Sequence, residues 1–512
     1  MDEHRTMLDA TRKDLALGVV GAGLMGRGIA QIAAQGGLRV MLCDSRPGAA
    51  AEAHDALVQT FATLAAKGKL TLEEAEEAGA RLHVASALPE LGDCAIVVEA
   101  IVEDLDAKRQ LLRDLEAVVS DACVLATNTS SLSVTAIAAA CRHPERVAGF
   151  HFFSPVPLMK LVEVVDGALT AAWVGEALAT LARRMGHAPV RAQDTPGFIV
   201  NHAGRGYITE SLRVLGEGIT DFATVDRILR GAVGFRMGPC ELLDLTGLDV
   251  SHPVMESIYT QYYQEPRYRP SPITRQRLAA GLLGRKSGRG FYAYVDGRAQ
   301  AVEAPAVPEV AAKPLWVSRA DPAAHERVVA LLDRQGTVLD HGDRPADDSV
   351  CLVLPIGTDT TTAALSEGLD PKRTLALDPL FLGAHLTLMT NPLTTLASSD
   401  AAWAALASTG RAVSVIHDSP GFVAQRVVAM IVNIGCDIAQ QRIATPEDID
   451  CAVRIGLGYP QGPLALGDAL GAATVLAILD AMHACYRDPR YRPSPWLVRR
   501  ARLGVSLLTP EN

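Results

Sequence analysis

The feature that most restricts how this chain can fold is an internal repeat of several short motifs. The later copy of each motif follows the earlier one by 223 or 224 residues, and the motifs keep the same order. Matches of this kind indicate that a whole structural segment has been duplicated. The paired elements are TPGF at 195–198 with SPGF at 419–422, Asp226 with Asp450, FRMGP at 235–239 with YPQGP at 459–463, and EPRYRPSP at 265–272 with DPRYRPSP at 488–495.

The repeated segment has the pattern of a helical domain. Pro196 and Gly197 open a long helical periodicity that runs to Gly216, and a second one covers residues 221–231. Strand-like runs are sparse from there until GRKSGRGFY at 284–292. The duplication therefore predicts two all-helical domains in one chain.

The first third of the chain alternates short apolar runs with amphipathic stretches, which predicts a mostly parallel sheet of the Rossmann type. Residues 313–417 alternate in the same way but have no glycine-rich loop, so we expect a degenerate copy of the first α/β domain there. The predicted strands are Leu15–Val20, Arg39–Cys43, Ala95–Ala100, Cys123–Thr127, Arg146–Phe152, Leu161–Val165 and Pro189–Ala192. The predicted domains are a Rossmann domain at 1–192, a helical domain at 193–296, a linker with the degenerate α/β domain at 297–415, and a second helical domain at 416–512.

Composition and charge argue against several classes of function. The 512 residues carry a formal net charge of −10, which disfavours a nucleic-acid partner or an anionic membrane surface. Nine cysteines without a C-x-x-C pair are typical of reduced thiols rather than of a disulfide framework or a metal site. The N-terminal residues lack the apolar segment of a signal peptide, and no stretch long enough to span a bilayer is free of charge and proline. We therefore expect a cytoplasmic protein with no metal, nucleic-acid or membrane partner.

A glycine-rich turn near the N-terminus predicts a dinucleotide site. Gly21, Gly23 and Gly26 form a G-x-G-x-x-G motif that follows a predicted strand and opens a predicted helix. In that context the glycines permit a tight turn, a close backbone approach to a pyrophosphate, and close packing of helix and sheet. Asp44 ends the second strand, where a carboxylate binds the ribose hydroxyls and repels a 2′-phosphate. The motif predicts NAD as the cofactor, and the nearby Arg46 keeps NADP open as the alternative.

His151 and Glu163 are the strongest candidates for the chemistry. His151 lies at the end of the strand RVAGFHF, and open α/β sheets bind ligands at the carboxyl ends of their strands. Glu163 is centred in the apolar run LVEVV, and burying a carboxylate is costly unless it is paired. A histidine on a neighbouring strand is the obvious partner, since such a pair fixes the imidazole tautomer for a general base. A satisfied core histidine is the alternative for His151 taken alone.

Together these motifs resemble the L-3-hydroxyacyl-CoA dehydrogenase family. The resemblance runs almost continuously from Leu15 to Tyr292, in the order in which the family has its motifs. It implies an enzyme whose substrate is an acyl-CoA thioester and which uses NAD to oxidise the 3-hydroxyl of that substrate. The motifs are GAGLMG, VVEAIVEDLDAK, NTSSLSVTAIA, RVAGFHFFSPVPLMKLVEVV, DTPGFIVN, MGPCELLDLTGLDV and GRKSGRGFY.

The resemblance also implies roles for single residues. It makes His151 the acceptor of the 3-hydroxyl proton and Glu163 the residue that orients it. Ser130 and Asn201 are implied to hydrogen-bond the hydroxyl and thioester regions of the substrate. Ser154 stands where the family has asparagine, so a nicotinamide contact is expected to be weakened or bridged by water. The further implied contacts are Glu103, Lys108, Ser130 and Lys286 with NAD, and Thr60 and Lys67 with CoA, where a solvated helix lysine is the alternative for Lys67.

An intact first copy followed by a degenerate second one resembles the long family members that act on 3-hydroxyadipyl-CoA in phenylacetate degradation. A 3-hydroxybutyryl-CoA or general fatty-acyl substrate is the alternative. An alternative of another class is a non-catalytic NAD-binding structural protein, which would not account for the survival of the four catalytic candidates together.

The second copy is expected to be structural because it lacks the catalytic candidates. Single-domain relatives commonly dimerise through the helical domain, so the resemblance predicts that the two copies pack as a pseudo-dimer within the chain. Homo-oligomerisation is left open. The matches under a shift of 224 residues are Leu375 for His151, Thr387 for Glu163 and Gln425 for Asn201.

Overall fold

The computed structural model describes residues 8–333 and 337–511. Its N-terminal part contains the strands β1 Ala16–Val20, β2 Arg39–Cys43, β3 Leu82–Val84, β4 Ile96–Glu99, β5 Val124–Thr127, β6 Val147–Phe152, β7 Leu161–Asp166 and β8 Ala188–Gln193. They form one sheet in the order β3-β2-β1-β4-β5-β6-β7-β8. Only β6 and β7 pair antiparallel, and every other neighbouring pair is parallel. The predicted Rossmann-type sheet is confirmed.

The central strands are buried on both faces because helices cover the sheet from both sides. Every residue of β1, β5 and β6 is buried, so each strand has a continuous apolar run rather than an alternating pattern. The edge strand β3 escapes the sequence pattern because only Leu82 of its three residues is buried. The helices of this part are α1 Leu24–Gln35, α2 Ala49–Ala66, α3 Leu72–Ala80, α4 Leu105–Glu116, α5 Val134–Ala138 and α6 Ala172–Arg184.

The first copy of the repeat is helical, as predicted, but its opening motif is a turn. Gly197 and Phe198 have positive φ angles of 78° and 46°, and Gly421 and Phe422 repeat them at 76° and 52°. Glycine tolerates this left-handed region at little cost, which explains why both P-G-F motifs have a glycine at this position. The elements are α7 Val200–Ala203, α8 Arg205–Gly216, α9 Phe222–Ile228, α10 Pro239–Thr246, α11 Leu248–Gln261 and α12 Pro272–Ala279, followed by a hairpin of β9 Tyr294–Val295 and β10 Arg298–Ala299.

The segment between the helical copies is a smaller α/β domain. Its strands are β11 Leu315–Val317, β12 Leu339–Asp340, β13 Val350–Val353, β14 Thr374–Leu377, β15 His385–Met389 and β16 Ala412–Ile416, and its helices are α13 Pro322–Asp333, α14 Thr360–Ser366 and α15 Leu396–Ala407. The order is β12-β11-β13-β14-β15-β16, and again one internal pair, β14 with β15, is antiparallel. The predicted degenerate copy of the first sheet is confirmed.

The second helical copy packs directly against the first. It contains α16 Ala424–Gln440, α17 Pro446–Gly456, α18 Pro463–Leu470, α19 Ala472–Tyr486 and α20 Pro495–Leu503. Helices α8 and α16 approach so closely that a Cβ on Gly206 would lie 2.9 Å from the Cα of Ile431. On the same contact the Arg426 guanidinium donates to the Glu210 carboxylate at 2.8 and 2.9 Å, and both side chains are fully buried.

Two backbone hydrogen bonds join the copies to the sheets in a reciprocal manner. The N–H of Gln193, at the end of β8, donates to the carbonyl of Ile443 at 2.8 Å. The N–H of His417, just after β16, donates to the carbonyl of Ile219 at 3.0 Å. Each residue of the second pair lies 224 residues from its counterpart in the first. The edge strand of each sheet is therefore bonded to the helical copy that belongs to the other sheet.

The contacts divide the chain into two compact units, 8–202 with 441–457 and 203–440 with 458–511. The three predicted boundaries between the four domains stay predictions. Over the described ranges no single helix is long and apolar enough to cross a bilayer; the consecutive helices α18 and α19 would pass only as a pair, and they are bent by 94°.

Candidate functional site

The glycine-rich turn between β1 and α1 has the geometry that its motif predicts. Gly21 has a φ of 105°, and a Cβ there would lie 2.4 Å from the carbonyl oxygen of Ala100. A Cβ on Gly26 would lie 1.7 Å from the carbonyl oxygen of Gly21, so neither position accepts a side chain. Gly23 faces open space, with nothing within 4 Å of its Cβ position. The turn therefore leaves a free approach to the backbone N–H groups at the start of α1, where phosphates bind.

Asp44 closes this turn from the end of β2. Its carboxylate accepts from the N–H of Ala22 at 2.7 Å and from the N–H of Arg46 at 2.8 Å. The Arg46 guanidinium is held by Glu52 at 2.7 Å, which draws it away from the role of a phosphate ligand. Asp44, Gly21 and Gly23 line a cavity of about 790 Å³, large enough for a dinucleotide. The residues present thus fit NAD.

His151 and Glu163 face each other across the antiparallel pair β6 and β7. The His151 Nδ1 lies 2.7 Å from Glu163 Oε2, and the carboxylate is fully buried. The other carboxylate oxygen accepts from the backbone N–H groups of Ile199 and Val200 at 2.9 and 2.8 Å. Because this carboxylate acts as an acceptor on both oxygens, Nδ1 is the nitrogen that carries the proton in the neutral imidazole, and Nε2 is then the one with the lone pair. The geometry is that of an oriented general base.

The same carboxylate fixes the segment that bears Asn201. The two N–H groups bonded to Glu163 come immediately before that residue, at the start of α7. The rings of Phe153 and Phe198 lie 4.5 and 5.8 Å from the His151 ring. Glu163 therefore links the base, an aromatic wall and the Asn201 backbone.

Ser130 belongs to a second network, gathered around Glu103. One oxygen of Glu103 accepts from the backbone N–H of Ser130 at 2.8 Å and from its hydroxyl at 3.2 Å. Thr129 and Ser131 donate to the same oxygen. Burial alone would raise the pKa of Glu103, but Lys108 and these hydrogen bonds outweigh it and hold the pKa below its usual value. Glu103 stays ionised and keeps the Ser130 loop in one conformation.

Lys108 connects this loop to a buried carboxylate in the sheet. Its ammonium lies 2.6 Å from Glu99 and 3.3 Å from Glu103, and the lysine side chain is 1% exposed. Glu99 also accepts from the Thr127 hydroxyl at 2.6 Å. Lys108 is therefore placed to position Glu103, and a direct contact of Lys108 with NAD stays a prediction.

Two further residues join the networks. The Asn128 side chain accepts from the N–H of Phe152 at 2.8 Å, which ties the Ser130 loop to the strand that bears His151. Asp194 accepts from the Ser133 hydroxyl and from the N–H groups of Val134 and Thr135, at 2.7 to 3.0 Å. The first contact joins the loop after β5 to the end of β6, and the second joins the start of α5 to the residue that follows β8.

Four implied residues lie apart from these networks. Thr60, on α2, lines a groove beside α1 and donates its hydroxyl to the Ala56 carbonyl. Lys67 is exposed at the end of α2, and Ser154 is exposed after β6. Lys286 pairs with Asp249 at 2.5 Å, and both residues belong to the second compact unit. Their contacts with ligands stay predictions.

Sequence reasoning overlooked Glu99, Asn128 and Asp194. Glu99 had a usable signal, because it is a carboxylate at the end of the apolar strand AIVVE, the same pattern that singled out Glu163. Asn128 and Asp194 accept hydrogen bonds from groups 24 and about 60 residues away in the sequence. No local sequence pattern indicates these partners.

The second copy loses the catalytic pair, but its register differs from the one predicted. The residue paired with Thr387 across the antiparallel strands is Asp378, whose N–H donates to the Thr387 carbonyl at 3.1 Å. Leu375 lies three residues earlier, inside β14 and in the core. The match of His151 with Leu375 is therefore wrong, because the connection between these strands is three residues shorter than in the first copy.

At the position that the catalytic imidazole occupies in the first copy, the second copy has the buried carboxyl group of Asp378. It accepts from the Gln425 amide at 2.9 Å, while its second oxygen has no hydrogen-bond partner. Burial raises the pKa of Asp378 to about 6. A carboxyl held in this way destabilises the fold once it ionises.

We expect Asp378→Asn to raise the melting temperature at pH 7. The folded pKa of Asp378 lies above the unfolded value of 3.8, so its contribution to stability is present below about pH 4 and is lost as the pH rises through 6. The loss amounts to at most about 3 kcal/mol, since one pKa unit corresponds to about 1.4 kcal/mol. Thermal unfolding from pH 4 to 8, with the exposed Asp347→Asn as control, measures it. An unchanged pH dependence in Asp378→Asn would contradict the assignment.

Two models of known protein families match the chain. The family model for the 3-hydroxyacyl-CoA dehydrogenase NAD binding domain matches residues 16–195. The model for the 3-hydroxyacyl-CoA dehydrogenase C-terminal domain matches twice, at 197–294 and at 421–506, in agreement with the duplicated helical domain.

Individual relatives cover either the whole chain or its first half. A 3-hydroxyadipyl-CoA dehydrogenase of Escherichia coli K12 is 37% identical over 95% of this chain and 97% of its own length. A probable 3-hydroxybutyryl-CoA dehydrogenase of Deinococcus radiodurans is 39% identical over 55% of this chain and its own full length. The crystal structure of a 3-hydroxybutyryl-CoA dehydrogenase from Escherichia coli K12 covers 96% of this chain and 98% of its own, with a TM-score of 0.83 and 36% identity.

Proposed function

This chain belongs to the 3-hydroxyacyl-CoA dehydrogenase family, and from that premise we propose that its natural substrate is 3-hydroxyadipyl-CoA, in phenylacetate degradation. The protein is an NAD-dependent oxidoreductase that converts a 3-hydroxyacyl-CoA to the 3-ketoacyl-CoA. The observation that carries the choice of substrate is the full-length relative of that name, which shares the second copy as well as the first. The solved relative named for 3-hydroxybutyryl-CoA supports the alternative.

In the proposed mechanism His151 removes the proton of the 3-hydroxyl. Its Nε2 has the free lone pair because Nδ1–H donates to Glu163 at 2.7 Å. Glu163 holds the ring in this orientation and offsets the positive charge that the imidazole gains. NAD, when bound, accepts the hydride from C3.

Ser130 positions the hydroxyl group of the substrate. Because His151 takes the single proton of the 3-hydroxyl, the Ser130 hydroxyl acts as the donor to the oxygen of that group. The backbone N–H of Ser130 still bonds to Glu103 at 2.8 Å and holds the loop in place. Asn201, fixed by the backbone bonds to Glu163, donates to the thioester region. NAD is held by the glycine-rich turn of Gly21, Gly23 and Gly26 and by Asp44. Further NAD contacts are assigned to Glu103, Ser154 and Lys286. Contacts with CoA are assigned to Thr60 and Lys67.

We also propose that the helical copies form a pseudo-dimer inside the chain. The α8–α16 packing and the reciprocal bonds of Gln193 with Ile443 and of His417 with Ile219 support it, since a two-fold contact repeats each interaction with the partners exchanged. We further propose that the domain boundaries are those given by the sequence and that the protein is cytoplasmic.

We expect the protein to prefer NAD, and Asp44→Ala to relax that preference. The Asp44 carboxylate faces the cavity edge where the adenosine ribose binds, and it would repel a 2′-phosphate. Measuring kcat/KM for NAD and NADP in both proteins tests this, with Asp55→Ala, an exposed aspartate on α2, as control. Equal values for the two cofactors in the unmodified protein would refute the role of Asp44.

The substrate proposal is tested by comparing kcat/KM for 3-hydroxyadipyl-CoA, 3-hydroxybutyryl-CoA and longer 3-hydroxyacyl-CoAs. The proposal predicts the highest value for 3-hydroxyadipyl-CoA. A higher value for 3-hydroxybutyryl-CoA would establish the alternative, and a non-catalytic NAD-binding protein would turn over none of them.

A further inference from the structure

A groove on the first unit runs between α1, α2 and the segment that follows β6. Arg27 and Gln31 of α1 and Thr60 of α2 provide its polar groups. Its far wall is Pro155–Pro157. The sequence motifs assign no role to Arg27.

The groove is lined by the segment that directly follows the strand of the reacting histidine. Val156 follows His151 by five residues, so the two Cα atoms are at most about 19 Å apart. A Cβ on Gly28 would lie 2.7 Å from the Cβ of Val156, so α1 is in direct contact with this segment. A substrate whose hydroxyl is at His151 can therefore extend past Val156 along α1.

The guanidinium of Arg27 is available to a ligand. The side chain is exposed, and over the described residues no hydrogen bond or ion pair holds it. The first turn of α1 contains no acidic residue, and Glu52 of α2 is already bound to Arg46. The charge of Arg27 is thus uncompensated beside the positive end of the α1 dipole.

We propose that Arg27 binds an anionic group of the acyl-CoA substrate at a distance from the reacting carbon. This inference rests on the proposed function, because it takes the substrate to be an acyl-CoA. Guanidinium groups bind phosphates and carboxylates with strong, charge-assisted hydrogen bonds. The phosphates of CoA are one source of the anion, and the terminal carboxylate of a dicarboxylic acyl chain is the other. The alternative is that Arg27 is a solvated arginine on a helix surface and binds no ligand.

Steady-state kinetics of Arg27→Gln on three thioesters separates these cases. For 3-hydroxybutyryl-CoA and 3-hydroxyadipyl-CoA we expect KM to rise about tenfold or more, with kcat within about twofold, as the loss of a charged hydrogen bond implies. For 3-hydroxybutyryl-pantetheine, which has no phosphate and no terminal carboxylate, KM stays unchanged. A rise confined to 3-hydroxyadipyl-CoA also supports the proposal and identifies the carboxylate as the anion.

Two controls complete the test. Arg27→Lys keeps the charge and should retain most of the affinity, and Arg39→Gln removes an exposed arginine at the opposite end of β2 from Asp44. Calorimetric titration with 3-hydroxyadipyl-CoA and with CoA in the absence of NAD needs no turnover, so it tests Arg27 even if the proposed reaction fails. An unchanged affinity in Arg27→Gln, or an equal KM rise for the pantetheine thioester, would overturn the inference.

Discussion

Replacing His151 with glutamine is expected to lower kcat by about a hundredfold to ten-thousandfold, the usual contribution of a general base. Glutamine keeps a polar side chain of similar reach but has no lone pair of comparable basicity to accept the 3-hydroxyl proton. His151 is 4% exposed and bonded to Glu163, so the change removes the base and leaves the glycine-rich turn and Asp44 intact. NAD affinity should therefore stay within about twofold. Stopped-flow turnover together with calorimetric NAD titration measures both quantities.

A companion variant, Glu163→Gln, separates orientation from proton transfer. The amide oxygen can still accept from the N–H groups of Ile199 and Val200, but the amide nitrogen then faces His151 Nδ1. That arrangement favours the tautomer with the proton on Nε2, which disables the base while the fold is retained. His83→Gln, on an exposed position of β3, is the matched control. A near-normal kcat in His151→Gln would refute the assignment of the base.

Deleting Ile416–Asn512 is expected to yield a protein that aggregates or forms a new dimer. The deletion uncovers the face of α8 around Gly206, which packs against α16, and a newly exposed apolar face promotes association. It also removes Arg426, so Glu210 on the uncovered face loses its ion-pair partner. The edge of β8 loses the bond from Gln193 to Ile443.

Light scattering and sedimentation of the shortened chain measure this outcome. A dimer that recovers activity would show that a second chain can replace the internal copy, as the reciprocal contacts suggest. A soluble, fully active monomer after the deletion would contradict the structural role of the second copy.

The sequence was most informative where the pattern is local. The glycine-rich turn and the buried strands could be predicted because a short motif or an apolar run of five or six residues determines each of them. The edge strand β3 could not, since a strand with one buried residue has no periodicity to detect.

Long-range contacts set the limit for the site. The pairing of His151 with Glu163 was predictable because a carboxylate in an apolar strand requires a partner. The bonds from Ser130 to Glu103 depend on how the loops after β4 and β5 approach each other, which spacing alone does not indicate. In the second copy a shortened loop moved the register by three residues, so a fixed offset led to Leu375 instead of Asp378.

The central claim is that this protein moves a hydride from C3 of a 3-hydroxyacyl-CoA to NAD at the His151 centre. The most direct test incubates the protein with NAD and 3-hydroxyadipyl-CoA that carries deuterium at C3, and follows the dinucleotide by mass spectrometry. We expect reduced NAD to gain one deuterium per 3-ketoacyl-CoA formed, and His151→Gln to form almost none in the same time. Reduced NAD without deuterium, or no reduced NAD at all from the unmodified protein, would contradict it.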